Sequence, residues 1–141
     1  VRNVASNFWK PWLKTEYRVL VPATSFSEYQ DGGEKGKRVL RWFDVRAEQG
    51  PNEALSGAFC FAGIWRPWEG VRGTKAAPAT GAHQLFSFLT CEANAIVAPV
   101  HAKAMPVILA PADYDVWLTG SVEEALALQR PFPAEAIRLR L

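Results

Sequence analysis

The sequence predicts a single α+β domain in which a distorted, mostly antiparallel, barrel-like sheet is flanked by short helices. About five or six segments rich in branched and aromatic residues are separated by turns that contain Gly, Pro or Asn. The segments whose sequence predicts a helix are short and lie mostly near the C terminus. Because the 141 residues suffice for one hydrophobic core and show no repeat or linker, residues 1–141 are assigned to one domain.

The first half of the chain carries three strand signals after an irregular, Trp- and Pro-rich arm. Residues 17–30 form the first strand, with Pro22 at a break or edge position because proline lacks a backbone donor. A Gly-rich loop over 31–37 leads, as a hairpin connection, into a second strand over 38–45. Residues 58–65 form a nearly continuous apolar run, which predicts a central strand.

The second half begins with the longest stretch that lacks any periodicity. Residues 66–83 are rich in Gly, Pro, Ala and Thr, and this composition predicts a long, mobile surface loop. Strands are expected over 84–90, 106–109 and 137–141.

Three short helices are also expected. One covers 92–97 and a second covers 111–118, where a proline occupies the first turn. Ser121 and Glu124 have the spacing of a capping box, which begins a third helix that ends near Gln129.

Composition narrows the class of protein. Hydrophobic residues make up 49% and charged residues 21% of the chain, and the net charge of +2 permits a local polyanion-binding patch without requiring one. No secretory signal or apolar run of about 18 residues is present, so a cytoplasmic protein without a membrane partner is expected. Cys60 and Cys91 lie in apolar segments and are interpreted as reduced and structural, and their spacing indicates no metal site and no cofactor.

Two ionisable residues stand within apolar runs and are the candidate catalytic groups. Glu28 closes the first strand, where it is either a solvated strand end or a general acid or base whose pKa burial raises. His101 lies between Pro99 and Pro106, where it is either a turn histidine bonded to backbone or a proton-transfer group. A carboxylate and an imidazole brought together by the fold are the minimal parts of an acid–base site.

Three other residues have competing interpretations. Thr90 either caps the helix that follows it or orients a substrate or water. Cys91 is a nucleophile candidate, but the structural interpretation is favoured because no cationic neighbour is evident to lower its pKa. His83 is expected to be a solvated loop residue.

The N-terminal arm combines cations with flat aromatic rings. This combination favours single-stranded nucleic acid, because cations bind phosphates and aromatic faces stack on bases. The alternative is a solvated face above a packed Trp pair. The residues concerned are Arg2, Phe8, Trp9, Lys10, Trp12, Lys14 and Arg18, with Lys103 later in the chain.

Several motifs together resemble the SRAP family, the SOS response-associated peptidases that are also described as abasic-site processing proteins. They occur in the family's order, and the resemblance runs from residue 1 to the C terminus. The matching segments are Arg18–Tyr29, Phe59–Trp65, Phe88–Asn94, Val100–Leu109 and Arg130–Glu135.

The resemblance implies a function in the SOS response to DNA damage. Members of the family bind single-stranded DNA at abasic sites, and an N-terminal cysteine forms a thiazolidine DNA–protein crosslink with the ring-opened sugar. The family is also associated with an autoprocessing peptidase activity. Carried over to this sequence, the resemblance makes Glu28 and His101 catalytic and gives Arg2, Thr90 and Lys103 DNA-binding positions.

The family's cysteine and a family asparagine correspond to positions before Val1. We therefore expect an SRAP domain that lacks its N-terminal segment and does not form the crosslink by itself. Exposed sheet edges in such a chain favour self-association. A different class of function, a non-catalytic module that binds single-stranded nucleic acid, remains as the alternative.

Overall fold

The computed structural model describes residues 1–31, 38–46 and 57–140. The secondary structure comprises β1 (Arg18–Ala23), β2 (Ser25–Tyr29), β3 (Leu40–Val45), β4 (Phe59–Gly73), β5 (Pro78–Phe88), β6 (Thr90–Cys91), β7 (Met105–Pro106), β8 (Ile108–Leu109) and β9 (Ile137–Leu139), with helices α1 (Tyr114–Thr119) and α2 (Val122–Leu126). Short 3₁₀ turns cover Lys10–Leu13, Thr15–Tyr17, Pro111–Asp113 and Ala134–Ala136. Most of the predicted 31–37 loop lies outside the described residues.

Three antiparallel sheets form the domain, as the α+β prediction requires. The largest has the order β1-β4-β5, with β8 also paired to β4; β2-β3-β9 and β6-β7 form the others. Among the described residues these sheets do not close into a barrel. β4 is central, as its apolar run predicts, and Ala62 and Ile64 within it are almost fully buried. Gly63 allows close packing against β1, since a Cβ there would lie 2.6 Å from Cγ2 of Val21.

The predicted mobile loop over 66–83 is wrong. These residues extend β4 and begin β5, and the two strands pair continuously to Gly73 and Pro78. The turn closes through Thr74, whose carbonyl oxygen and Oγ1 each accept the Ala77 N–H at 3.1 Å. His83 therefore lies on a strand, where Nε2 is 3.1 Å from the Ala79 carbonyl oxygen. The backbone ladder stabilises a hairpin whose Gly, Pro and Ala content hides its strand character.

The strand expected over 17–30 is two strands. Pro22 is not the break: it lies inside β1, paired with Cys60, and β1 is an edge strand of its sheet, so the predicted edge position is confirmed. The chain bends at Thr24, between β1 and β2, and this bend sends β2 into the second sheet.

The helix expected over 92–97 is also absent from the structure. The side-chain oxygen of Asn94 accepts the N–H groups of Ile96 and Val97 at 3.1 and 3.0 Å. Its amide donates to the carbonyl oxygen of Phe132 at 2.8 Å. These contacts are those of a turn that begins at an asparagine, and residues 95–100 form turns rather than a regular helix.

The later helices are close to expectation. A 3₁₀ turn and α1 cover the predicted 111–118 segment. Ser121 and Glu124 form the predicted capping box, with the Glu124 N–H donating to Ser121 Oγ at 3.1 Å, although α2 ends at Leu126.

Arg18 is buried, with 4% of its surface exposed, so it does not belong to the predicted basic arm. Its guanidinium donates to the carbonyl oxygens of Trp117 and Gly120 at the C-terminal end of α1. These carbonyls carry partial negative charge and lack partners within the helix, so they favour a cation. Burial nevertheless lowers the Arg18 pKa. Arg18 thereby stabilises the packing of α1 against β1.

Arg18→Met is expected to lower the free energy of unfolding by about 1–3 kcal/mol, because the two carbonyl oxygens lose their donors. Urea denaturation measures this change. Arg138→Met is the matched control, since Arg138 is exposed on β9 and its replacement should stay within about 0.5 kcal/mol. Equal stability of the two variants would contradict the proposal that the hydrogen bonds of Arg18 to α1 stabilise the fold.

Candidate active site

Glu28 lies near the end of β2. Side chains alternate along a strand, so Glu28 shares a face with Phe26, which is buried and stacked on Phe43. The carboxylate is therefore half-buried at the rim of the core. Arg41 is directly across from Glu28 on β3, but its guanidinium bonds to Gln30 at 3.0 Å.

His101 is held by backbone and side-chain contacts. The backbone N–H of His101 donates to the carbonyl oxygen of Val97 at 2.9 Å. Ring Nδ1 lies 3.2 Å from Oδ1 of Asp31, and the side chain is 25% exposed. The imidazole ring therefore contacts a carboxylate. The interpretation of His101 as a turn histidine had predicted a bond from the ring to a backbone group. Nothing in the sequence pattern singled out Asp31.

These groups interact electrostatically. Burial is the main factor that raises the pKa of Glu28, His101 opposes the rise, and Asp31 adds to it. The pKa of Asp31 is lowered, chiefly by the N–H of Ala102 and then by His101 and Lys103. Two carboxyl groups with opposite pKa shifts therefore interact with one imidazole, Asp31 by direct contact and Glu28 through its charge. A carboxyl group with a raised pKa in the neighbourhood of an imidazole is an arrangement suited to proton transfer.

Arg2 and Thr90 meet at a second junction. The Thr90 N–H donates to the Val1 carbonyl oxygen at 2.9 Å. Gln129, which the sequence did not single out, donates through Nε2 to the carbonyl oxygens of Arg2 and Thr90 at 2.9 and 3.0 Å. Because no helix follows Thr90, a helix-capping role is excluded. The Arg2 guanidinium is exposed and lies 3.3 Å from Glu92.

The structure therefore groups the predicted residues in two sets. The charges of His101 and Asp31 both act on Glu28, and the charge of Lys103 acts on Asp31. Arg2 and Thr90 share Gln129. The contacts among the described residues do not join the sets directly, although the segment from His101 leads into β7, which pairs with Thr90 at Pro106.

Cys91 has the environment of a structural thiol. It is 2% exposed, and Sγ lies 3.8 Å from the Met105 carbonyl oxygen. Burial raises its pKa to about 11, and the nearby Arg2 charge offsets this effect only in part. A thiol that stays protonated at neutral pH is a poor nucleophile. Neither Cys91 nor the half-buried Cys60 forms a disulfide.

Residues 3–140 match the family described as SOS response associated peptidase (SRAP). The chain belongs to this family. Glu28 and His101 thus lie inside the matched region of an SRAP domain.

Solved structures share this SRAP fold. A protein from Bacteroides thetaiotaomicron is 23% identical, with a TM-score of 0.72 over 99% of this chain and 56% of that one. A Bordetella bronchiseptica protein is 22% identical, with a TM-score of 0.67 over 97% of this chain and 61% of that one. A phage-related protein from the same organism is 23% identical, with a TM-score of 0.59 over 94% and 55%.

The chain therefore spans between 55% and 61% of the length of these structures. No curated protein matches.

The SRAP domain also carries a surface groove, here called the aromatic groove. The N-terminal aromatic residues lie against one side of the β4–β5 hairpin and enclose about 270 Å³. The Arg66 guanidinium lies over the rings of Phe8 and Trp12, at 5.1 and 5.2 Å from their centroids. Phe8 is 58% exposed, whereas Trp9 and Trp12 also contact the core. The groove is lined by Phe8, Trp9, Trp12, Ile64, Trp65, Arg66, Trp68, Leu85, Phe86 and Ser87.

Within residues 1–31, 38–46 and 57–140, no helix has the length and apolar character needed to span a membrane. Over the same ranges, no cluster of three or more His, Cys, Asp or Glu side chains is arranged to hold a metal ion.

Proposed function

We propose that this SRAP-family chain acts in the cytoplasm on abasic sites in single-stranded DNA during the SOS response. The observation that carries this proposal is the half-buried Glu28 beside the His101–Asp31 pair. Attack on a ring-opened sugar aldehyde requires groups that deliver and remove protons near neutral pH. Glu28 with its raised pKa and His101 are the two residues that supply this chemistry.

The proposed reaction is the family's crosslink between an N-terminal cysteine and the abasic sugar. The cysteine amine adds to the C1′ aldehyde, and loss of one water molecule gives an imine. The thiol then loses its proton as sulfur bonds to the imine carbon, and the nitrogen gains a proton, which closes the thiazolidine ring with no net change in protons. His101 assists opening of the sugar ring, and Glu28 protonates the hydroxyl group that leaves as water.

The cysteine is proposed to come from outside residues 1–141. Cys91 is buried and protonated, and Cys60 is paired with Pro22 inside the main sheet. An autoprocessing peptidase step that exposes the cysteine would use the same proton-transfer groups.

DNA binding is proposed to involve Arg2, Thr90 and Lys103. Arg2 and Lys103 are exposed cations suited to phosphate oxygens. The ion pair of Arg2 with Glu92 is exposed, and such surface pairs are weak enough for a phosphate to replace the carboxylate. Thr90 offers a hydroxyl group at the backbone junction with Val1.

A denaturing-gel assay tests this function. Single-stranded DNA with one abasic site is incubated with the 141-residue chain and, in parallel, with the product of the complete gene. A covalent band is expected only for the complete product and only with abasic DNA. A band with neither protein would contradict the proposal, and so would an equal band with undamaged DNA.

A second candidate function is a non-catalytic module for single-stranded nucleic acid, and the aromatic groove favours it. Exposed aromatic faces and Arg66 fit stacked bases and a phosphate backbone. This function predicts binding that weakens steeply with salt and does not distinguish abasic from intact DNA. Fluorescence anisotropy with the two oligonucleotides over a series of salt concentrations separates the two candidates.

A further inference from the structure

We propose that Asp31 is the positioning residue that fixes the ring orientation and the tautomer of His101. This inference deepens the proposed function and rests on it for the catalytic part of its test. It concerns a residue that follows β2 by two positions and that does not itself contact the sugar in the proposed reaction.

Both oxygens of Asp31 contact the His101 segment. Oδ1 lies 3.2 Å from Nδ1 of His101, and Oδ2 accepts the N–H of Ala102 at 3.0 Å. An ionised carboxylate is an acceptor only, so Nδ1 must carry the proton in this contact. In the neutral ring Nε2 is then the nitrogen left to accept a proton.

The backbone of Asp31 strengthens this arrangement. Its N–H donates to the carbonyl oxygen of Val100 at 2.7 Å. Three hydrogen bonds therefore join the end of β2 to the turn that carries His101. Glu28 lies three residues before Asp31 on the same segment.

Asp31 further separates the roles of the two carboxyl groups. The Ala102 N–H, His101 and Lys103 keep Asp31 ionised by lowering its pKa. The negative charge of Asp31 in turn helps to raise the pKa of Glu28. One carboxyl group is thereby kept as an acceptor for the imidazole, and the other is kept able to donate a proton.

Nitrogen-15 NMR of the histidine rings tests the tautomer without any DNA chemistry. The chain has two histidines, so His101 is distinguished from His83 by one His83→Gln spectrum. At about pH 9, where an ordinary imidazole is neutral, the Nδ1–H form of wild-type His101 should predominate. A predominant Nε2–H form would overturn the proposal, and this measurement requires no variant of Asp31.

Asp31→Asn should shift His101 toward the Nε2–H form, since the amide group of asparagine presents a donor to Nδ1. The matched control is Asp44→Asn, because Asp44 also accepts from a side-chain donor, Arg140, but lies on β3 rather than on the segment that contacts His101. An unchanged tautomer in Asp31→Asn, in a variant whose backbone spectrum shows a folded chain, would also overturn the proposal.

Crosslinking by the complete gene product supplies the second readout. Asp31→Asn should slow it by at least about 10-fold, because general acid–base groups contribute about 10²- to 10⁴-fold and a histidine in the wrong tautomer loses part of that contribution. Asp31→Glu should recover part of the rate, because it restores a carboxylate acceptor. Wild-type crosslinking by Asp31→Asn would overturn the positioning role. Absence of crosslinking by the wild-type protein, with the expected tautomer, would refute the proposed function and leave the structural role of Asp31 standing.

Discussion

Glu28→Gln in the complete gene product is expected to reduce the rate of crosslinking to abasic DNA by at least about 100-fold. General acid–base groups typically contribute about 10²- to 10⁴-fold, and glutamine keeps the shape of the side chain without a transferable proton. The rate is measured from the covalent band on denaturing gels over a range of pH. The wild-type rate should fall as pH rises through the raised Glu28 pKa, and the variant should lack this decrease.

The stability of Glu28→Gln separates lost catalysis from lost folding. A carboxyl group whose pKa is raised on folding binds protons more tightly in the folded state, so its contribution to stability declines as pH rises. Glutamine removes this penalty, and the variant should be at least as stable as wild type at pH 8. Glu123→Gln, an exposed position on α2, is the matched control and should retain the full rate. A full rate in Glu28→Gln would refute its catalytic role.

Trp117→Ala is expected to have the largest effect on stability, about 3–5 kcal/mol in the free energy of unfolding. Trp117 is fully buried, and its indole N–H donates to the Val19 carbonyl oxygen at 3.0 Å. The substitution leaves a cavity between α1 and β1 and removes the partner of that oxygen. Urea denaturation followed by circular dichroism measures the loss.

Trp42→Ala is the control for this prediction. Trp42 is 41% exposed on β3, so its replacement by alanine creates no enclosed cavity and should cost about 1 kcal/mol or less. A loss for Trp117→Ala no greater than that for Trp42→Ala would show that the α1–β1 contact does not stabilise the core.

Local signals in the sequence predicted local structure well. The Ser121–Glu124 capping box is confirmed because all of its hydrogen bonds lie within one turn. The central position of β4 follows from its apolar run. The β4–β5 hairpin was missed because its Gly, Pro and Ala content hides its strand character, although Gly73 and Pro78 pair across a turn of only four residues. The segment expected to be a helix over 92–97 forms turns instead, and its Asn94 amide bonds to the carbonyl oxygen of Phe132 far along the chain.

In the candidate site, too, some residues could be predicted from the local sequence and others could not. Glu28 and His101 stand out because ionisable residues are unusual in apolar runs. Asp31 and Gln129 were missed, since a polar residue in a loop or at a helix end carries no distinctive pattern. Arg18 was misinterpreted as a surface cation because its partners, the carbonyls of α1, come together with it only in the folded chain.

The most direct test of the central claim is to locate the abasic nucleotide on the protein. Backbone amide shifts of the isotope-labelled chain are compared during titration with two single-stranded oligonucleotides of identical sequence, one of which contains an abasic site. The lesion should cause additional shifts at Glu28, Thr90 and His101. Identical shifts with the two oligonucleotides, or shifts confined to the aromatic groove, would contradict an abasic site at Glu28 and His101.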